Sequence, residues 1–458
     1  MTLLAINWAH VGIQIAQLLL SLSILVILHE FGHYITARMF GCRVERFFLF
    51  FDPWFALVKK KVGDTVYGIG WLPLGGYVKI AGMIDESMDK AQLALPPQPW
   101  EFRSKPAWQR LIIMIGGVTV NIILAFIIYA GILMVWGKHT TPLSSVKNGI
   151  SIQDSVMYDL GFRDGDNILA ANGKPLTDYN RIIKKAIVSD SMTVLRGGKR
   201  TEIIFPVDFI GQLVEKKRSG TPLIQPRIPA LVQEVPDSMP AYKAGLRSGD
   251  LIVAINGTAT PFYDQLRTQL AKSKFGDTAS VTYVRKGDTL NVAVPLNAQG
   301  KLGVYPMYKP SQYEAAGVIK TETKKYGFFA AIPAGVAMAG DELEFYIDQF
   351  RKILSPKTGA YKGVGGFKSM GSIFLPQWDW ESFWTLTAFF SIVLAFMNLL
   401  PIPALDGGHV LFTLIEMITG RKPNQKFLEY AQTVGMILLL GLMLYANGND
   451  WLGWGRNK

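Results

Sequence analysis

The sequence predicts a multi-pass α-helical membrane protein. Four transmembrane helices carry a membrane-associated β-hairpin and two outer, β-rich α+β domains. Three observations lead there. Charged residues make up only 18% of the 458, against 49% apolar, a balance that points to membrane spans before a soluble fold. Four windows contain no Asp, Glu, Lys or Arg: residues 1–29, then between Arg110 and Lys138, between Glu381 and Asp406, and between Glu429 and Asp450. Finally, a glycine-rich signature in the long stretch between the second and third windows recurs 84 residues later.

The first window is predicted to be an uncleaved span. It lacks a basic leader and a small-residue cleavage site, and its apolar run from Val11 to Leu28 leads straight into His29. Thr65 to Ala81 follows, reading TVYGIGWLPLGGYVKIA. Its β-branched and aromatic residues with Gly and Pro punctuation suit short strands and turns. Its apolarity predicts that it dips toward the membrane, where backbone must be paired or shielded. The second window, LIIMIGGVTVNIILAFIIYAGILMVW, is ample for the roughly 20 residues a span needs.

The repeat comes next. Leu160-Gly161-Phe162-Arg163-Asp164-Gly165-Asp166-Asn167-Ile168 precedes Asn172-Gly173, and Ala244-Gly245-Leu246-Arg247-Ser248-Gly249-Asp250-Leu251-Ile252 precedes Asn256-Gly257. Gly-Asp leads into an apolar strand, and Asn-Gly predicts a two-residue hairpin turn. Residues Tyr326 to Leu354 read as an amphipathic helical region. A Gly-rich stretch, Gly363 to Gly371, follows, and then the aromatic cluster Trp378, Trp380, Phe383 and Trp384, which suits an interfacial belt. The third window ends in NLLPIPALDGGH (Asn398 to His409). There the prolines should break the helix and Asp-Gly-Gly should form a turn. The fourth window supplies the last span.

The net charge of +12 does not require a nucleic acid partner, because the bases flank the spans. Arg38, Arg43, Arg46, Lys59, Lys60, Lys61, Arg103, Lys105 and Arg110 fall between spans one and two; Arg421, Lys422 and Lys426 fall between spans three and four. By the positive-inside rule both loops face the cytoplasm. Both termini and the 138–381 segment then lie outside, since long domains cross regardless of charge. Cys42 is the only cysteine, which excludes an intramolecular disulfide. The sequence assigns no oligomeric state.

The chemistry sits at His29-Glu30-Phe31-Gly32-His33. On a helix, positions i and i+4 share one face, so His29 and His33 can hold one Zn²⁺. Glu30 beside them can take a proton from water and pass it to a leaving amine. Such a site needs a third protein ligand and an open position. Ionisable groups inside a span cost about 2.5–3.5 kcal/mol each on insertion scales, which favours a functional role. Arg38 lies five residues beyond His33, so at about 1.5 Å per residue the site is roughly 10 Å inside the cytoplasmic face. Asp406, at the broken part of the third segment, is one candidate third ligand; His409 is the other.

These features together resemble the site-2 protease family. HEFGH lies in the first span, NLLPIPALDGGH in the third, and the repeated units resemble bacterial PDZ domains. The bacterial branch that regulates sigma-factor signalling, with tandem PDZ domains, is the most similar type. Pro73-Leu74-Gly75-Gly76-Tyr77-Val78-Lys79 is similar to the family's membrane-entering hairpin, and Phe102 to Arg110 to the approach to its second span. The resemblance implies zinc as cofactor, with His29, His33 and Asp406 as ligands and Glu30 as general base. It implies that Asn398 hydrogen-bonds the substrate backbone, and that the hairpin around Gly75 and Gly76 pairs with the unwinding substrate. There are departures. Phe50-Phe51-Asp52 stands where the family often has Gly-Phe-Gly, Gly117-Val118-Thr119-Val120-Asn121 where it has Gly-Pro-x-x-Asn, and Gly363 to Phe367 where it has a Ser-Gly-Pro-Ile-like segment. They point to a divergent branch.

The domains expected are therefore a first part of the membrane core (1–136), PDZ domains at 137–226 and 227–311, an amphipathic region (312–382), and the second part of the core (383–458). The expected activity is zinc-dependent cleavage within the membrane segments of single-span proteins already trimmed outside, such as anti-sigma factors and leftover signal peptides. The expected location is the bacterial inner membrane. The alternative is a membrane-tethered PDZ adaptor or chaperone with a vestigial metal site. A soluble zincin is disfavoured by the charge-free windows.

Overall fold

A computed structural model of the chain describes residues 7–73, 75–83, 96–216, 222–274 and 276–454. Residues 1–6 of the first window and Leu74 of the expected hairpin lie outside the described residues. The chain forms two compact units. One comprises residues 1–137, 325–351 and 362–458; the other comprises 138–324 and 352–361.

Among the described residues of the first unit, four helices are long and apolar enough to cross a membrane. Helix α1 (Trp8–Met39) starts at Asn7, whose side chain accepts from the His10 amide, and ends before Gly41, whose φ of 67° the helix cannot continue. Helix α2 (Ala107–Val135) follows Pro106. Helix α3 (Phe328–Leu354) is the amphipathic segment expected from Tyr326 onward, and its Tyr346 and Phe350 rings pack on Phe396. A short helix α4 (Phe367–Ile373) occupies the Gly-rich stretch. Helix α5 (Trp380–Leu399) is capped by Asp379, which accepts from the Ser382 amide. It stops at Leu400, which Pro401 holds extended.

Asp-Gly-Gly is not the expected turn. It is the first turn of helix α6 (Asp406–Thr419). The break is confined to Leu400 to Leu405, with Ala404 at φ 80°. Arg110, read from sequence only as a flanking base, ties α6 to α2 through a largely buried 2.5 Å ion pair with Glu416. Helix α7 (Gln425–Leu452) is the fourth long apolar helix. Its Asp450 carboxylate accepts from the Gly366 and Ser369 amides, capping α4.

The sheet of this unit is larger than the sequence suggested. Besides β3 (Thr65–Leu72) and β4 (Tyr77–Ile80) it contains β1 (Val44–Leu49) and β2 (Phe51–Val62), in the order β2-β3-β1-β4. β1 runs parallel to β3 and antiparallel to β4. The edge strand β4 thereby faces α1: Phe47 on β1 packs edge-on against Tyr34 at 5.6 Å, and Gly76 abuts Val26 and Glu30.

The second unit contains the repeat as two similar modules. In one, the strands run in the order Lys199–Ile204, Ser191–Arg196, Asn167–Ala171, Lys174–Pro175; in the other, Asp288–Pro295, Thr278–Arg285, Leu251–Ile255, Thr258–Ala259. Asn172-Gly173 and Asn256-Gly257 turn the corresponding hairpins with positive φ at both residues, as type I′ requires. The Asp of each Gly-Asp is a buried pin. Asp166 accepts both Arg196 nitrogens and the Arg163 amide, and Asp250 does the same with Arg285 and Arg247. The linker Arg227 makes a bidentate pair with Asp264 at 3.0 and 2.8 Å, which joins the modules within this unit.

Candidate active site

Helical spacing on α1 turns His29 and His33 to one side, and the start of α6 brings Asp406 to them. His29 Nε2 and His33 Nε2 are 3.3 Å apart, and Asp406 Oδ2 is 3.2 Å from each. Tetrahedral ligands held at about 2.05 Å from zinc stand ~3.3 Å apart, so this triangle has the size of three corners of such a site, with the fourth left for water or substrate. Among the described residues, these three form the His, Cys, Asp or Glu group placed to share one ion. His409 lines the neighbouring cavity but lies outside that group.

The outer nitrogens of both rings are held as a metal site requires. His33 Nδ1 lies 2.9 Å from the Ile113 carbonyl, to which it can only donate, leaving a lone pair on Nε2. His29 Nδ1 lies 3.2 Å from the Asn121 amide, whose other terminus, Oδ1, is buried without a partner. Turning that amide by 180° lets Oδ1 accept from His29 Nδ1. That pairing leaves the His29 Nε2 lone pair for metal. Both partners come from α2. So does Gly117, where a Cβ would stand 2.5 Å from His33 Nε2 and 2.6 Å from His29 Cε1. The residues present thus fit a zinc ion.

The remaining expected site residues gather around the triangle. Asn398, in the last turn of α5, places Nδ2 3.2 Å from His29 Nε2. Glu30 is partly buried and lies beside Gly76, the residue before β4. Gly76 has no room for a side chain: a Cβ would meet the Phe48 carbonyl and Val26 at 2.7 Å. Gly75, at φ 151°, lies against the Phe51 ring. A cavity of about 630 Å³ opens onto Glu30, His33, Asp406 and Gly76. Sequence reasoning missed Asn121 and Gly117 as site residues. The available signal was Asn121 itself, the one amide in an uncharged apolar window.

Known proteins resemble this chain along most of its length. The sequence pattern described as Peptidase family M50 matches residues 17–442. The regulator of sigma E protease of Haemophilus influenzae (strain ATCC 51907 / DSM 11121 / KW20 / Rd) is 27% identical over 475 residues, covering 96% of this chain and 98% of the relative. The regulator of sigma-E protease RseP of Escherichia coli (strain K12) matches at the same identity and coverage. A candidate zinc metalloprotease of Xylella fastidiosa (strain 9a5c) is 27% identical over 456 residues, covering 95% of this chain and 98% of the relative. Among solved structures, the PDZ domain of the SdrC-like protein from Listeria monocytogenes is 26% identical over 16% of this chain and 82% of its own, with a TM-score of 0.15. The M50 pattern takes in all three members of the triangle and the glutamate beside it, and this chain belongs to peptidase family M50, as a zinc metalloprotease.

Proposed function

We propose that this metalloprotease cleaves peptide bonds inside the membrane segments of single-span proteins. The carrying observation is the position of the triangle. It joins the C-terminal third of α1, a helix able to cross a membrane, to the break that follows α5, another such helix. His29, His33 and Asp406 are the ligands in this reading. A zinc ion held by these residues would supply Lewis acidity to the scissile carbonyl and to the attacking water. Glu30 takes the proton from that water and delivers it to the leaving amine. Asn398 donates to the substrate backbone beside His29.

A helical substrate shields its peptide bonds with its own hydrogen-bond ladder. β4 is a sheet edge next to Glu30, and Gly75 and Gly76 let a second strand approach closely. A substrate that pairs there loses its ladder and presents its carbonyl. The basic loops face the cytoplasm. Both termini and the 138–381 segment, with PDZ domains at 137–226 and 227–311, lie on the periplasmic side of the inner membrane. The tandem excludes proteins whose outer domain is intact, so substrates arrive already trimmed. The sigma E names of the relatives support anti-sigma factors as the substrate class, with signal-peptide remnants as a second. The intact triangle and Glu30 weigh against an adaptor with a vestigial metal site.

The test is a pretrimmed single-span substrate incubated with wild type, Glu30→Gln and Asp406→Asn. Cleavage by wild type alone is expected. Equal cleavage by all three overturns the assignment. Retention of zinc in Asp406→Ala together with its loss in His409→Ala would move the third ligand.

A further inference from the structure

None of these roles uses the Phe50-Phe51-Asp52 departure, yet the structure builds it into the cavity. Phe50 and Trp54 hold left-handed backbone, at φ 68° and 70°, a conformation that residues with a Cβ rarely adopt. The corner they make carries Asp52 into the lining of the cavity that contains Glu30 and Asp406. Its carboxylate is fixed on one side. Tyr77 donates its hydroxyl to Oδ1 at 2.8 Å, and the Tyr77 ring is held by stacking on Phe51, nearly parallel at 7°. The other oxygen is not comparably held. Arg46 Nη1 makes only a loose ion pair with Oδ2, at 4.0 Å, longer than a hydrogen bond. A carboxylate has about four acceptor positions, and among the described residues one is filled by a hydrogen bond. The side chain is 19% exposed, enough for a ligand in the cavity to reach it.

Asp52 also has a definite place along a bound segment. It is clasped by Tyr77, the residue after Gly76, and Gly76 lies against Glu30. With roughly 3.3 Å per residue in an extended strand, the substrate side chain that meets Asp52 belongs within two or three positions of the cleaved bond. Membrane segments carry Lys and Arg near their cytoplasmic ends, and a carboxylate shielded from bulk water attracts a cation and repels an acid. We propose that Asp52 is a specificity-determining residue, selecting membrane segments that carry a Lys or Arg side chain two or three residues from the scissile bond. This rests on the proteolytic reading and on β4 as the docking strand.

The test uses the full-length protein and one apolar single-span peptide, prepared with Lys, Gln or Glu at each position in turn through the cytoplasmic half of its apolar segment. Ratios of kcat/KM are taken within each protein, so differences in active fraction cancel. Wild type should prefer Lys to Glu by about tenfold. Asp52→Asn should bring the ratio near one, and Asp52→Lys should invert it. The same ratio is read without cleavage from peptide Kd values on Glu30→Gln protein. Discrimination in Kd with no cleavage by wild type would sink the protease reading and leave Asp52 standing. Equal Lys and Glu affinities in Asp52 and Asp52→Lys proteins overturn the proposal.

Discussion

Gly117→Ala is a one-methyl perturbation aimed at the metal site from a helix that supplies no ligand. The added Cβ would meet His33 Nε2 at 2.5 Å and His29 Cε1 at 2.6 Å, where non-bonded contact needs about 3.5 Å. Each imidazole must therefore retreat by roughly 1 Å, or α2 must back away from α1. Metal sites tolerate about 0.2 Å in ligand distance. Lesions that merely disturb the groups behind the ligands already cost 10- to 100-fold in affinity. Displacing both imidazoles should exceed that and raise the zinc Kd at least about 100-fold, which is ~2.7 kcal/mol. Competition with a chromophoric chelator on purified protein reads the Kd, and far-ultraviolet circular dichroism checks that the helices persist. A Gly117→Ala protein that binds zinc within about threefold of wild type would refute the packing argument.

Asn121→Leu should weaken zinc binding by 10- to 100-fold, because nothing then fixes the His29 tautomer. Asn121→Asp, which can only accept, should restore most of it, and equal affinity in all three proteins would contradict the role. Asp250→Ala leaves Arg285 and the Arg247 amide without their buried acceptor. Since Arg285 is 35% exposed, about 2–3 kcal/mol is expected rather than the full cost of breaking a buried pair. Hydrogen exchange in the full chain should show Leu251–Ile255 deprotected and Asn167–Ala171 unchanged. Burial pushes the Tyr77 phenol up to about 12, with the Asp52 hydrogen bond adding to the shift. An unfolded tyrosine ionises near about 10, so the stability from this group is intact below that pH and is lost as pH rises toward 12. The difference in 295 nm absorbance between wild type and Tyr77→Phe should titrate near 12, and a midpoint near 10 would contradict the buried network.

Much of the site could be read from the sequence because its chemistry violates its surroundings. Two histidines and a glutamate in an otherwise uncharged window, and an aspartate among prolines in another, stand out against the cost of burying them. The repeat was readable because Gly-Asp and Asn-Gly impose backbone geometry locally. What was not readable depends on packing between distant segments. Arg196 and Arg285 lie outside the repeated motif, so the buried pin of each module could not be inferred from it. Gly117 looks like any glycine in an apolar helix until α1 is laid against α2. The start of α6 at Asp406 was misjudged for the same reason. Asp-Gly-Gly favours a turn in isolation, but here the glycines fit under the Leu400 and Ile402 carbonyls, and the helix begins at once. β2 escaped because Phe51–Val62 is an edge strand exposed along much of its length, without the alternation that marks a half-buried strand.

The most direct test of intramembrane proteolysis is where the cut falls. A single-span substrate should be cleaved by zinc-loaded wild type and not by Glu30→Gln, with the products sequenced by mass spectrometry. Both new termini should lie within the apolar segment, toward its cytoplasmic end. Cleavage only outside that segment, or equal cleavage by the Glu30→Gln protein, would contradict the account.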